Sequence, residues 1–428
     1  MEYNNRNQVI EHPSLREGLG GLFDELIERR GTNCVKWDER LRVGEQGSGI
    51  MPDDDVIPLW VADMDFRAAP AILEAVRRRA EHGVFGYTVV DDSYYEAIIS
   101  WFQRRHQWTI RREEILYTTG VVPAMSVAIK ALTTPGNQVL ILSPDYNCFF
   151  SSIRNNGCRV IESALQYNDS NERFEVDFDD FEKQCADEKT TVFLLCNPHN
   201  PTGRVWTKEE LEHMNDICMK HGVVVVSDEI HCELTMPGHT FQPFAAVSEA
   251  CRENSVILNS PSKSFNIAGL QIANIICSRP DWRRRLDRAI NINEVCDVNP
   301  FGPEALKAAY NDSEDWLEAL NLYLWDNYRA LCDFAAQHLP QWNVRPLEGT
   351  YLPWVDITAT GFTAQQYADY LFCEAHVRVN PGTMYGSQTG EGYIRLNIAC
   401  PRSRLMEALE RIALLGRRTL AINGTQEL

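Results

Sequence analysis

Asn259-Ser-Pro-Ser-Lys-Ser-Phe-Asn-Ile-Ala-Gly-Leu-Gln271 sets one lysine, Lys263, among small hydroxyl residues, directly after the apolar run Val256-Ile-Leu258. A lysine at the end of a buried strand can be held deprotonated by desolvation and by neighbouring positive charge. A neutral amine there can form a Schiff base with a carbonyl compound. Most lysines are solvated surface groups, so the reading depends on the sequence around this one.

Outward from this segment the chain alternates. Val139-Leu-Ile-Leu142, Arg159-Val-Ile161, Thr191-Val-Phe-Leu-Leu195, Val223-Val-Val-Val226 and Ala273-Asn-Ile-Ile-Cys277 are short apolar, β-rich runs. Helical segments separate several of them; the clearest covers Lys208 to Lys220 behind the capping box Thr207-Lys-Glu-Glu210. Continuous apolar strands alternating with helices predict an α/β fold with a largely parallel sheet covered on both faces. Ligands of such sheets bind beyond the carboxyl ends of the strands.

Towards the N-terminus, a polar arm to about Pro13 precedes a helix predicted from Leu15 to Arg30, with Leu19, Leu22, Phe23, Leu26 and Ile27 at helical spacing and Gly31 as its stop. Gly44 to Asp55 reads as a loop, its acidic stretch Asp53 to Asp55 as a solvated excursion. Pro70 opens a helix that Gly83 closes, and Ser93-Tyr-Tyr-Glu96 reads as a capping box. Beyond Pro300 a long helical stretch, Pro303 to Leu339, leads to Gly349-Thr-Tyr-Leu-Pro-Trp-Val-Asp356, another helix and Tyr393-Ile-Arg-Leu-Asn397. This predicts a second, smaller α+β domain. The expected division is an arm with part of the small domain (1–60), a large domain (61–300) and a small C-terminal domain (301–428).

Composition excludes several classes. A net charge of −19 argues against nucleic acid or anionic membranes as a partner. No apolar stretch has the length of a membrane span. The N-terminus shows no basic region followed by an apolar run. Thirteen cysteines, odd in number and without close pairs or metal-like clusters, fit reduced thiols in the cytoplasm and no metal site.

Three polar motifs fall at predicted strand ends: Cys196-Asn-Pro-His-Asn-Pro-Thr-Gly203, the Ser227-Asp-Glu-Ile-His231 that follows Val226, and the Lys263 segment. Alone, the first is a turn and the Asp228 of the second a helix cap. Their order and common placement make coincidence a poor explanation. The set resembles the fold-type-I pyridoxal-phosphate enzymes of the class I/II aminotransferase group over nearly the whole chain. Pro58-Leu-Trp-Val-Ala-Asp-Met-Asp-Phe66, Phe85-Gly-Tyr-Thr88, Ser262 to Gln271 and Arg395-Leu-Asn-Ile-Ala399 narrow the resemblance to MalY/PatB-type carbon–sulfur lyases, or cystathionine β-lyases.

The resemblance implies a large α/β/α domain and pyridoxal 5′-phosphate as cofactor. Lys263 would carry it and move the substrate's Cα proton, while Asp228 would pair with its pyridine nitrogen. Asn200 would donate to the ring oxygen and Tyr146 would stack on the ring; a plain core aromatic fits Tyr146 equally well from local sequence. The amides of Val121 and Val122, in Thr119-Gly-Val-Val-Pro-Ala124, would hold the phosphate at a helix start, with hydroxyls from Ser260 and Ser262. Tyr87 would reach the phosphate of a neighbouring subunit, implying a homodimer with shared active sites; a structural hydrogen bond is its alternative. Arg395 would grip the α-carboxylate of an amino-acid substrate, with Trp60 and Asp63 to Asp65 near the entrance.

Two departures from the aminotransferase pattern matter. Gln271 stands where an arginine commonly binds the phosphate, and His231 where a tyrosine commonly meets the ring oxygen. Both resemble the lyase branch, so the expected reaction is α,β-elimination from L-cystathionine or a related cysteine S-conjugate, giving a thiol, pyruvate and ammonia. His231 as a cofactor contact and as a structural histidine stand nearly level. An aminotransferase, or a regulatory binding protein with secondary lyase activity, are the rival readings.

Overall fold

The computed structural model describes residues 21–38 and 55–423. The predicted arm, the first part of the Leu15–Arg30 helix and nearly all of the Gly44–Asp55 loop lie outside these residues. Asp55 itself pairs with Arg411 at 2.9 Å.

Seven strands form the central sheet: β1 (Ile115–Thr118), β2 (Gln138–Ser143), β3 (Arg159–Ala164), β4 (Thr190–Cys196), β5 (Val224–Asp228), β6 (Ser255–Asn259) and β7 (Ala273–Ile276), in the order β1-β7-β6-β5-β4-β2-β3. Neighbours from β3 to β6 pair in parallel, while β7 runs antiparallel to both β6 and β1. The largely parallel sheet is thus present, with one reversed strand. In β2 the residues alternate between two cores, Val139 and Ile141 facing one side and Leu140 and Leu142 the other. Helices Val121–Leu132 and Pro280–Ile292 cover the first face; Asp92–His106 and Lys208–His221 contribute to the second. Burial on both faces explains why these strands read as unbroken apolar runs.

A smaller antiparallel sheet follows, of β8 (Asn343–Val344), β9 (Trp354–Asp356), β10 (Asn380–Pro381) and β11 (Tyr393–Arg395), ordered β8-β9-β11-β10. Ile57–Pro58 joins this side of the molecule by pairing in parallel with Val377–Arg378. The two sheets meet where the N–H groups of Glu348 and Gly349 donate to the carbonyl of Gly203 at 3.0 and 2.9 Å. Gly203 is left-handed (φ +74°), and a Cβ there would lie 2.6 Å from Leu347 Cδ1.

Three local expectations change. The Leu15–Arg30 helix ends by Phe23, and Leu26 is exposed; Arg29 is drawn instead to Asp63 and Asp65. The helix predicted from Ser93 starts at Asp92, capped by the Asp91 side chain, which accepts from the Tyr94 N–H. The Pro303–Leu339 stretch is two helices, Gly302–Asp312 and Glu314–His338, parted at Ser313, whose hydroxyl donates to the Ala308 carbonyl. No helix among the described residues is long and apolar enough to cross a membrane.

Candidate active site

Chain segments leaving the carboxyl ends of β1, β2, β4, β5 and β6 converge on a cavity of about 290 Å³. Its lining includes Val121, Val122, Tyr146, Asn200, Asp228, His231, Ser262 and Lys263. Eight of the residues singled out in the sequence therefore share one space, although 142 positions separate the first from the last. Parallel strands explain this: each delivers its C-terminal loop to the same edge of the sheet.

Lys263 is half-buried, and its Nζ donates to the Ala62 carbonyl at 2.5 Å. Burial holds the amine down to about 8, with Asp63 and Asp228 pulling upward and Arg395 pushing down. At the end of β5, burial pushes the Asp228 carboxyl up to about 7, against the Ile230 N–H that it accepts at 3.1 Å and the charge of Lys263. Burial also holds His231 down to about 3, helped by Lys263 and Arg395, so its imidazole is neutral. Burial keeps the Tyr146 phenol protonated.

The helix Val121–Leu132 starts behind Gly120 with no side-chain cap. Its first N–H groups thus have no intrahelical partner, and Val121 and Val122 face the cavity, which suits an anionic group. Arg395, on β11 of the small sheet, is 3% exposed. It donates to Asn200 Oδ1 at 3.0 Å and to the Trp60 carbonyl at 2.9 Å, while its buried Nε has no hydrogen-bond partner among the described residues.

Other expected residues sit elsewhere. Ser260 does not line the cavity: its hydroxyl donates to the Ile272 carbonyl at 2.6 Å and accepts from the Ser262 N–H at 3.1 Å. The Trp60 side chain donates to the Lys36 carbonyl and lies under the Arg378 guanidinium, so its backbone oxygen is what meets Arg395. Tyr87 is 99% exposed, outside the cavity. Sequence reasoning passed over Tyr351, whose hydroxyl donates to the same Ala62 carbonyl at 2.9 Å. It also passed over Asn266, left-handed at φ +56°, which ties the lysine turn to Met64 and Phe66. An asparagine, a residue that tolerates left-handed backbone, three positions beyond the lysine was the available signal.

These donors fit pyridoxal phosphate. A buried carboxyl raised to about 7 is a carboxylate short of a cation, and a protonated ring nitrogen is one. The uncapped helix start suits a phosphate, the partly neutral lysine an aldehyde, and His231 Nδ1, without a partner among the described residues, a polar ring substituent.

Comparison with known proteins agrees. A family model described as aminotransferase class I and II matches residues 54–412. The chain is 39% identical to cystathionine beta-lyase PatB of Bacillus subtilis over 390 residues, 91% of this chain and 98% of that protein. It is 34% identical to protein MalY of Escherichia coli, with 90% and 95% covered. The PLP-bound C–S lyase of Staphylococcus hominis complexed with L-cycloserine matches with a TM-score of 0.85 at 34% identity, covering 92% of this chain and 97% of that one.

Proposed function

The chain belongs to the aminotransferase class I and II family, and within it we propose a pyridoxal-phosphate-dependent carbon–sulfur β-lyase that releases a thiol, pyruvate and ammonia from L-cystathionine or a related cysteine S-conjugate. The observation that carries this reading is the shared cavity of Lys263, Asp228 and the uncapped helix start, with Gln271 and His231 on its wall. Those last two positions depart from the transaminase pattern and resemble the lyase branch.

When bound, pyridoxal phosphate supplies a sink for the electrons left at the substrate Cα. The amides of Val121 and Val122 and the Ser262 hydroxyl hold its phosphate, and Ser260 orients Ser262 from behind. Asp228 keeps a proton on the ring nitrogen. Asn200, whose Oδ1 is taken by Arg395, would offer its Nδ2 donor to the ring oxygen, and Tyr146 and His231 would contact the ring. Arg395 receives the α-carboxylate, its geometry fixed by Asn200 and the Trp60 carbonyl. Lys263 takes the Cα proton at Nζ, a step that burial favours by keeping a share of the amine neutral near pH 7. The Cβ–S bond then breaks with its electron pair on sulfur; a thiolate is a good leaving group because thiols are far more acidic than alcohols.

A homodimer accounts for the exposed apolar segment Val84, Phe85, Tyr87 and Val89. In it Tyr87 would complete the phosphate site of the neighbouring subunit. Thirteen free cysteines support a reducing, cytoplasmic setting.

The test is incubation of the cofactor-loaded protein with L-cystathionine and no keto-acid acceptor, followed by assay of pyruvate and free thiol. Equal amounts of both over many turnovers are expected. Turnover that requires a keto-acid acceptor would overturn the lyase in favour of an aminotransferase.

A further inference from the structure

The loop Ala62–Phe66 is stitched to three other parts of the molecule. The Ala62 carbonyl accepts from Lys263 Nζ at 2.5 Å and from the Tyr351 hydroxyl at 2.9 Å. The Asp63 carbonyl accepts from Asn397 Nδ2 at 2.6 Å and from Lys36 Nζ at 3.2 Å. The Met64 carbonyl accepts from Asn266 Nδ2 and Arg29 Nη1, both at 3.0 Å. The side chains add four charges. Arg29 pairs with Asp63 Oδ2 and Asp65 Oδ1, each at 2.6 Å; the fully buried Lys36 pairs with Asp65 Oδ2 at 2.8 Å and lies 3.9 Å from Asp63 Oδ1.

Asp63 Oδ1 is the exception in this network: it is buried and accepts no hydrogen bond among the described residues. Lys36, 3.9 Å from it, offsets part of its charge without a hydrogen bond, and the remainder acts on other groups nearby. Asp63 follows directly on Ala62, whose carbonyl holds the Lys263 amine, and among the charged groups its carboxylate pulls hardest towards the protonated amine, against Arg395 and with Asp228. Neutral His231 and the Tyr351 hydroxyl complete the surroundings of the amine.

We propose that Asp63 is a positioning residue for Lys263, and that Arg29 and Lys36 of the N-terminal segment hold it in that role. Its backbone neighbour sets where the amine rests, and its carboxylate sets the charge that the amine feels. The role rests on the reading of Lys263 as the cofactor-bearing lysine.

Two substitutions push in opposite directions. Asp63→Asn removes the largest negative charge acting on Lys263 and leaves burial and Arg395 dominant, so the lysine sheds its proton at lower pH. Arg29→Gln removes a positive charge that offsets Asp63, so the proton is kept to higher pH. The measurement is the pH midpoint of the visible absorbance change in full-length protein loaded with pyridoxal phosphate. We expect the midpoint to fall in Asp63→Asn and rise in Arg29→Gln, each by about 0.5 pH or more, and to return to the wild-type value in Arg29→Lys. Midpoints that stay put, or that move the same way in both variants, would overturn the proposal even if both variants melt earlier. Should Asp63→Asn fail to load, the Arg29 pair decides alone. A wild-type protein with no visible band, or a Lys263→Ala protein that keeps it, would instead overturn the underlying assignment of Lys263.

Discussion

The guanidinium of Arg395 meets the side-chain oxygen of Asn200 at 3.0 Å, joining a strand of the small sheet to a loop of the large one across 195 residues. This contact fixes the orientation of both groups. The Asn200 oxygen is occupied, so its amide nitrogen is the end left for the cavity; the arginine keeps a buried Nε with no hydrogen-bond partner among the described residues.

Arg395→Lys should therefore weaken substrate capture beyond the loss of one hydrogen bond, because a point charge replaces a planar fork. KM for L-cystathionine should rise by about tenfold or more, equivalent to about 1.4 kcal/mol, with a smaller change in kcat. Steady-state kinetics checks this; an unchanged KM would remove Arg395 from the carboxylate site.

Asp228→Asn should bind pyridoxal phosphate and turn over slowly. The neutral amide cannot keep the ring nitrogen protonated, so kcat should fall by about a hundred- to thousand-fold, the range seen when one electrostatic partner of a reacting centre is lost. Single-turnover pyruvate formation reads the loss directly.

Glu229 gives a stability prediction. Burial pushes its carboxyl up to about 8 although the Phe244 N–H and the Ser227 hydroxyl both donate to Oε1, and Oε2 has no partner among the described residues. Between the ordinary glutamate value of 4.5 and about 8, the folded protein keeps a proton that the unfolded chain has released, so this group lowers stability as pH rises through that window. Glu229→Gln should match wild type near pH 4.5 and be more stable at pH 8, by a few kcal/mol at most. Urea unfolding at the two pH values measures the difference.

Gly203→Ala should destabilise by about 1–2 kcal/mol or more. The left-handed backbone costs any residue with a Cβ, and here the Cβ also meets Leu347 Cδ1 at 2.6 Å. Gly222 is left-handed too (φ +72°) but has nothing within 4 Å of the added carbon. Gly222→Ala is therefore the control for backbone strain alone, and equal losses in the two variants would mean that Leu347 yields.

Periodicity exposed the sheet because its strands are buried on both faces; Val139 to Leu142 could hardly read otherwise. The residues at the strand ends were legible for the same reason, since a polar group closing an apolar run has few structural excuses. Strand direction was not: nothing in Ala273–Ile276 distinguishes an antiparallel neighbour. The Leu15–Arg30 pattern overran beyond Phe23, where Arg29 reaches Asp63 and Asp65 and long-range ion pairs replace local helix spacing. Lys36 and Tyr351 had no pattern to betray them, because their partners are backbone carbonyls and carboxylates brought near only by tertiary structure. Ser260 shows the converse: adjacency to Lys263 suggested a phosphate contact, yet its hydroxyl spans to Ile272.

The helix that starts at Val121 has one more consequence. Its uncapped amides are main chain, and Val121 and Val122 would present the same two amides if they were alanine, threonine or leucine. Alanine at the more exposed Val122 will accordingly leave cofactor binding intact, while alanine at the buried Val121 will cost packing but no amide. Only a change that deletes an amide would register in cofactor binding, and Val122→Pro does so at a position where a helix's first turn accepts proline.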